Sequence, residues 1–411
     1  MSIISINSCR VCNSKDLELV LDLGTQELTG VFPKTKEEKL TEGPLQLLFC
    51  PKCGLLQLAH SYDLGEMYSD NYGYRSGLNN SMVRHLSEKV NQLSKRYELK
   101  SGDVVLDIGS NDGTSLNAYD VAGVVRIGMD PTGKKFGKYY DNGIRLVTEF
   151  FSAKKFFDAS ENKKAKIVTS ISMFYDLESP IDFAKQVESI LADNGVWHFE
   201  QSYMPTMLRQ NAYDTVCHEH LEYYSLTVIK HIVESAGMKL IDVSMNDING
   251  GSFAVTAAKR NSCYRANSIL IDWMLDQERQ LLLNSTIPYL KFAQRVKSHS
   301  ETFKSMLVDF TAKGATVYGY GASTKGNVIL QYSNITENEI KAIAEVNPDK
   351  FGVFTPKTHI PIISEEDVKS LKPDYMVVFP WHFRNNILSK EKEYLNEGGK
   401  LIFPLPFIEI I

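Results

Sequence analysis

Apolar and polar positions along this chain change their spacing several times, and each change marks a different kind of element. From Asp103 onward, short apolar runs (VVLDI, VVRIGM, KIVTSI and GVWHFE) alternate with stretches of helical period. Such alternation predicts a parallel sheet with helices on both faces. The stretch KLIDVSMNDINGGSFAVTAAKR follows as two strand-like halves joined at Asn249-Gly250-Gly251, an antiparallel hairpin suited to closing the edge of a mostly parallel sheet. Ahead of the series, Met82, Leu86, Val90 and Leu93 recur at spacings of four, four and three, which predicts a helix between Asn79 and Tyr97 that lays one face on the next domain.

After Arg260 the chain turns into a long helical region reaching about Thr311. A second alternating series then begins, with ATVYGYG, IKAIAEV, DYMVVFP and GKLIFPL as its strands; it predicts another small three-layer α/β unit. Residues 1–75 have no long periodic run and are punctuated by Gly, Pro and Cys, so their own core is expected to be small and in need of a crosslink. At 411 residues the chain exceeds what one hydrophobic core serves. The expected division is 1–75, 76–260, and 261–411, the last comprising a helical linker and the second α/β domain. The fold class is therefore α/β.

Composition narrows the function. The chain is 43% hydrophobic and 23% charged, with a formal net charge of −5, values of an ordinary globular protein and not of a general nucleic-acid binder, which needs an excess of Lys and Arg. Local basic pockets for one or two phosphates stay open. The N-terminus, MSIISINSCRVCNSK, carries no secretory signal pattern, and no run approaches the roughly 18 apolar residues that cross a bilayer. A cytoplasmic chain with no membrane partner is expected.

Four of the six cysteines form two knuckles, Cys9-x-x-Cys12 and Cys50-x-x-Cys53, and Gly54 after the second leaves room for a tight turn. This spacing predicts tetrahedral zinc. Disulfides conflict with the expected compartment, and a redox pair conflicts with a second knuckle. Four sulfur ligands leave no open coordination position, so the metal's part is structural.

VVLDIGSNDGTSL places Asp107, Gly109, Asn111 and Gly113 between a strand and a helix start. The spacing is DxGxxxG rather than the GxGxxG of dinucleotide loops, and it resembles the loop of class I S-adenosylmethionine-dependent methyltransferases. Asp130 ends the next strand, where an acidic side chain meets ribose hydroxyls. Met173 and Phe174, after the strand KIVTSI, are expected across the cofactor, and Glu200 lies at the mouth of a further strand. The competing reading is a set of strand-end turn residues in another nucleotide-binding α/β domain.

YDTVCHEHLEYYSL packs Asp214, Cys217, His218, Glu219, His220, Glu222, Tyr223 and Tyr224 into a dozen residues. An HxH pair alone lacks the further ligands of a catalytic metal; a reacting centre and a hydrogen-bonded structural cluster both remain open. Near the C-terminal series, GYGASTKG opens a helix whose first amides, with Lys325, suit a diphosphate, or it is a glycine turn made for packing. Asn347 and His382 follow later strands of the same unit.

Taken together, Glu219-His220 followed by aromatics and a serine, NYGYRSG with Tyr72 and Tyr74, and GYGASTKG with Gly319, Gly321, Ser323 and Lys325 resemble, over nearly the full length, the zinc-domain-containing sugar C-methyltransferases that act on nucleotide-linked 4-keto-deoxysugars. The resemblance implies S-adenosyl-L-methionine as cofactor and His220 as general base, with Glu219 orienting its ring and Tyr72 or Tyr74 donating to an enolate oxygen. It implies a nucleotide-diphosphate sugar as substrate, with Cys217, His218, Tyr224, Gly321, Ser323, Lys325, Asn347 and His382 as contacts. The activity implied is methylation of C3 of a 4-keto-6-deoxyhexose for a branched-chain sugar. One departure stands out: the family's tyrosine three residues before the histidine is Cys217 here. A methyltransferase acting on oxygen or nitrogen of a related sugar, and a noncatalytic nucleotide-sugar or cofactor-binding scaffold, are the alternatives.

Overall fold

A computed structural model describes residues 3–62, 64–67 and 74–411; Tyr72 lies outside them. The central unit is a seven-stranded sheet. Its order is Met238–Asn246, Ser252–Lys259, Leu191–Ser202, Ala165–Ile171, Val104–Ile108, Val125–Met129 and Arg145–Val147. The last five of these are mutually parallel, while Ser252–Lys259 runs antiparallel to both of its neighbours. The predicted hairpin therefore closes one edge, and the order reverses between Val104–Ile108 and Ala165–Ile171. That reversal opens a crevice at the strands' carboxyl ends, the place where open α/β sheets bind ligands.

The helix Asn80–Arg96 starts at Asn79, whose side chain accepts from the Ser81 amide, and buries Met82, Leu86, Val90 and Leu93 as their spacing predicted. Beneath the sheet, an aromatic cluster gathers Phe174, Phe183, Trp197, Phe199 and Tyr224, with Phe174 and Tyr224 stacked at 5.4 Å and Trp197 and Phe199 at 4.1 Å. Two expected ligand contacts, Phe174 and Tyr224, are thus core residues and are corrected here. Their rings are almost wholly inaccessible, because an apolar ring gains more from close packing than from a solvent-facing crevice.

The C-terminal unit holds a six-stranded sheet in the order Ile362–Ser364, Ile343–Glu345, Val317–Tyr320, Tyr375–Val378, Lys400–Phe403 and Glu409–Ile410, parallel except for the last strand. The helical region before it contains Ile287–Ala312, which buries Tyr289, Phe292, Val296, Phe303 and Leu307.

Near the N-terminus, Glu18–Glu27, Glu42–Phe49 and Leu56–Leu58 form an antiparallel sheet whose fourth strand, Glu222–Tyr223, comes from the central unit. The segment's own core is small, as expected, gathering Leu28, Val31, Tyr62 and Met67, and the rest of its apolar face packs elsewhere. Val20, Leu23, Leu45, Leu47 and Phe49 join one continuous cluster with Tyr289, Phe292 and the interior of the C-terminal sheet, and the Phe49 and Tyr289 rings lie 4.8 Å apart. Among the described residues no helix is long and apolar enough to cross a membrane.

Removing the Phe174 ring leaves a cavity among four other aromatic rings. Phe174→Ala is expected to lower stability by about 3–5 kcal/mol, seen as an earlier denaturant midpoint for the central unit, with the zinc content unchanged.

Candidate active site

The two cysteine knuckles meet. The Sγ atoms of Cys9, Cys12, Cys50 and Cys53 all lie within 4.8 Å of one another, with Cys9 to Cys53 and Cys12 to Cys50 each at 3.5 Å. Sulfurs at the corners of a tetrahedron with metal bonds of about 2.3 Å are separated by about 3.8 Å, so the donor set fits zinc. Each knuckle turns on a left-handed residue: Asn13 at φ 57° with its amide on the Cys9 carbonyl, and Gly54 at φ 82° with its amide on the Cys50 carbonyl. Burial raises the Cys50 thiol to about 11, and the neighbouring Cys9 adds to the rise. Held together as thiolates, the four would need a cation among them.

At the crevice of the central sheet, a cavity of about 210 Å³ is lined by Tyr74, Asp107, Gly109, Asn111, Asp130 and Met173, among others. The glycine loop makes it. Gly109 has φ 73°, and a Cβ there would sit 3.0 Å from the Met173 side chain; Gly113 has φ 77°, and a Cβ would press on the Tyr140 ring at 2.8 Å. Asn111, itself at φ 50°, gives its amide to Asp130 at 2.8 Å. Its side chain takes the Ser76 amide at 3.0 Å and donates to the Tyr74 carbonyl at 3.2 Å. The loop thereby holds the 74–77 segment across the cavity mouth.

Asp107 accepts from the Thr169 hydroxyl at 2.5 Å. Burial pushes its carboxyl up to about 7; Thr169 opposes that rise and nearby Asp130 adds to it. Asp130 has both oxygens engaged, by the Asn111 amide on one side and by the amide and hydroxyl of Thr132 on the other. Each carboxylate oxygen keeps further acceptor capacity toward a ligand hydroxyl. Glu200 takes no place in this lining. It is buried and paired with His85 and Lys89, both at 2.6 Å, and accepts from Asn246 at 3.0 Å. Hydrogen bonding from His85 and the charge of Lys89 outweigh burial and hold its carboxyl down to about 2.

The ionisable cluster divides. His220 donates from Nδ1 to the Thr215 carbonyl at 2.8 Å, and the Tyr175 ring meets it edge-on at 4.3 Å. Burial, reinforced by the charge of Lys325, lowers the imidazole to about 4, so it is neutral near pH 7. Glu219 does not orient that ring: the Thr215 carbonyl does. The Glu219 carboxyl is raised by burial, accepts from the Cys217 thiol, and lies so close to Gly30 that a Cβ there would sit 2.3 Å from its Oε1. His218 turns the other way. It is fully buried with the Tyr62 ring edge-on at 4.6 Å, in the seam with the N-terminal sheet, so its expected substrate contact is corrected. Cys217 is likewise core.

From the C-terminal unit, Ser323 caps the helix Thr324–Tyr332 by accepting from the Gly326 amide. Gly321, at φ 83°, leaves no room for a Cβ beside Pro380. Both serve the turn, the packing role that sequence had left open. Lys325 reaches across to the Asn249 carbonyl at 3.0 Å. His382 is half-buried, with its Nδ1 inaccessible and unpartnered among the described residues, and desolvation together with Lys325 keeps it neutral. Trp381 donates to Asp214 at 2.8 Å.

A second cleft, about 590 Å³, lies where all three units meet. Lys34, Arg75, Lys135, Lys138 and Lys350 line it, with Asp349 as its acidic side chain, and Asn347 belongs to it. Its aromatic walls include Phe32, 4.5 Å from the Lys350 ammonium, and Tyr139, 4.1 Å from the Arg75 guanidinium. Apart from the strand end Asn347-Pro348-Asp349-Lys350, sequence reasoning missed these residues, since no charge run marks cations scattered along the chain. Arg10 inside the first knuckle and the Thr215 carbonyl were also missed; only the placement of Arg10 between two cysteines was a readable signal.

Removing the metal is expected to release the N-terminal sheet together with its borrowed strand. Chelation should make amides of both Leu56–Leu58 and Glu222–Tyr223 exchange with solvent within minutes, while amides of Val104–Ile108 stay protected. Hydrogen exchange followed by mass spectrometry checks this; protection of Glu222–Tyr223 that survives chelation contradicts it.

Three family models match along the chain. Residues 9–68 match the family described as "Putative zinc binding domain", residues 78–243 match "Methyltransferase domain", and residues 247–406 match "C-methyltransferase C-terminal domain". The chain is 29% identical over 409 residues to C-methyltransferase NovU of Streptomyces niveus, covering 99% of this chain and 97% of that one. Among solved structures it is similar to an S-adenosylmethionine-dependent methyltransferase from Clostridium acetobutylicum, at 9% identity and a TM-score of 0.33 over 43% of this chain and 92% of that one. It is also similar to magnesium protoporphyrin IX methyltransferase of Synechocystis, determined with bound S-adenosylhomocysteine, at 14% identity and a TM-score of 0.34 over 47% and 91%. The zinc-binding, methyltransferase and C-methyltransferase C-terminal models match in this order along one chain, which is an S-adenosylmethionine-dependent methyltransferase similar over its full length to a C-methyltransferase.

Proposed function

We propose that this enzyme methylates C3 of a nucleotide-linked 4-keto-6-deoxyhexose, with His220 as the base. The observation that carries the reading is the fixed tautomer of His220. With Nδ1 donating to the Thr215 carbonyl, Nε2 holds the lone pair, and the neutral ring can take a proton. Carbon needs such a base: the proton beside a ketone must leave before that carbon becomes nucleophilic. S-adenosylmethionine, when bound, supplies an electrophilic methyl group on sulfonium.

The substrate class follows from charge. Lys325 disfavours protonation of His220, and a diphosphate placed beside the lysine offsets that effect, so substrate binding itself raises the basicity of the imidazole. The basic, aromatic-walled cleft supplies what a nucleoside diphosphate needs: cations for phosphate and flat faces for a base. Asn347 belongs to that cleft, and the charge of Lys325 is felt by both His220 and His382. Tyr74, at the cavity lip, is the described tyrosine available to donate to the enolate oxygen, and the raised carboxyl of Glu219 offers a second donor.

In the cofactor cavity, Asp130 takes the ribose hydroxyls, Met173 covers the adenosine, and Asp107, with the loop of Gly109, Asn111 and Gly113, receives the methionine end. An ammonium near Asp107 favours its ionised form. Because that carboxyl stands near 7 in the cofactor-free fold, against about 3.9 for an unfolded chain, the cofactor-free fold loses stability as pH rises from about 4 to about 7. Cofactor binding below pH 7 must release a proton. Affinity for S-adenosylhomocysteine is therefore expected to climb between pH 6 and 8 and then level off. Asp107→Asn should abolish the climb, and calorimetry in buffers of unlike ionisation enthalpy reads the proton directly.

The reading as a whole is tested by incubating the enzyme with a nucleoside-diphosphate 4-keto-6-deoxyhexose and methyl-labelled S-adenosylmethionine. Label is expected on carbon, and in deuterated water the C3 proton should wash out without cofactor. His220→Asn should lower both washout and transfer by about a thousandfold, with affinity for S-adenosylhomocysteine held. Label on oxygen, or unslowed washout in His220→Asn, would overturn the assignment.

A further inference from the structure

Arg10 occupies the first position inside the knuckle Cys9-x-x-Cys12, and its side chain is only 3% exposed. Its backbone amide donates to the Gln57 side chain at 3.1 Å, and Gln57 is the strand partner of Glu222. Its guanidinium donates to the Leu58 carbonyl at 2.6 Å, to the Ser61 hydroxyl at 2.9 Å and to the His60 carbonyl at 3.3 Å. The same group pairs with Glu178 at 3.2 Å and stands 4.0 Å from Glu222. One side chain thus grips the zinc knuckle, the strand beside it, and two segments of the central unit.

Those two segments are the ones that enclose the imidazole of His220. Leu221 gives its amide to the Tyr175 carbonyl, and its own carbonyl takes the Leu58 amide, both at 2.8 Å. Tyr175 packs edge-on against His220, and Glu178 is three residues beyond it. Glu222, two residues after His220, is completely buried, and neither of its oxygens has a hydrogen-bond partner among the described residues. Burial drives that carboxyl toward its neutral form, and the nearby cation that opposes the rise is Arg10, 4.0 Å away.

We propose that Arg10 is a positioning residue for the general base: anchored by the zinc knuckle, it pins the 175–178 and 221–223 segments against each other and so holds His220 on the Thr215 carbonyl. The zinc centre then acts on the reaction, through Arg10, without touching substrate or cofactor. Arginine is required because its planar fork serves several acceptors at once, which a lysine ammonium does not.

This inference rests on His220 being the base, and the test separates the two ideas. In the full-length enzyme the imidazole Nδ1 proton bonded to Thr215 should be a slowly exchanging downfield signal by nuclear magnetic resonance, assigned by its loss in His220→Asn. Arg10→Met is expected to keep one zinc per chain and its affinity for S-adenosylhomocysteine within about twofold, yet to lose protection of that proton. With a nucleoside-diphosphate 4-keto-6-deoxyhexose, kcat should fall about tenfold or more at little-changed KM, and Arg10→Lys should lie between. An unaltered proton signal and kcat in Arg10→Met overturn the proposal; so does loss of zinc together with the signal, which would make Arg10 part of the knuckle's own stability. Should Arg10→Met fail to fold, Arg10→Lys decides, and a wild-type signal in it counts against the positioning role. If the wild-type enzyme leaves that sugar untouched, the substrate assignment fails while the proton signal still judges Arg10.

Discussion

A two-residue strand holds this molecule's chemistry in place. Glu222–Tyr223 leaves the central unit, pairs antiparallel with Leu56–Leu58, and becomes the edge of the zinc-bearing sheet. A pair this short has little stability in isolation. It persists because Leu221 is tied on both sides, to Leu58 and to Tyr175, and because the Tyr223 ring is buried in the core shared with the C-terminal unit. The ionisable loop around His220 is therefore suspended between two folded bodies rather than carried by one.

That suspension explains the electrostatics of the site. Burial drives every group of the loop toward its neutral form: the imidazoles of His218 and His220 down to about 4 and the carboxyls of Asp214, Glu219 and Glu222 upward. A loop open to water would not behave so. Neutrality is useful for a base that must accept a proton, and it is inexpensive only because backbone carbonyls such as that of Thr215 satisfy the ring without adding charge.

Much of the architecture was legible from periodicity and spacing. The spacing of Met82, Leu86, Val90 and Leu93, the Asn249-Gly250-Gly251 hairpin and the four cysteines are local signals, and local signals survive folding. The DxGxxxG loop was legible for the same reason, since Gly109 and Gly113 are required by their own backbone angles and close neighbours. What escaped depended on distant partners. Phe174 and Tyr224 face the core because Trp197 and Phe199 are there to receive them. Glu219 was assigned to the ring of its sequence neighbour, but the chain turns at His218-Glu219, with the His220 amide on the Cys217 carbonyl, and Gly30, nearly two hundred positions away, lies beside its carboxyl. The basic cleft was invisible because Lys34, Arg75, Lys138 and Lys350 come together only when three units dock.

The core shared by the N-terminal sheet and the C-terminal unit bears on how such enzymes diverge and can be recombined. Although the two ends of the chain lie on either side of the methyltransferase unit in sequence, they are one body in packing terms. Replacing either end alone strips the apolar partner from the other, and exchange of the central unit must also respect Met204, Met207, Tyr213 and Val216, which reach from it into the same core. Recombination in this architecture should then keep the two termini together with the 204–223 stretch that packs between them, and tolerate change best on the parts of the central unit that lie outside that shared core.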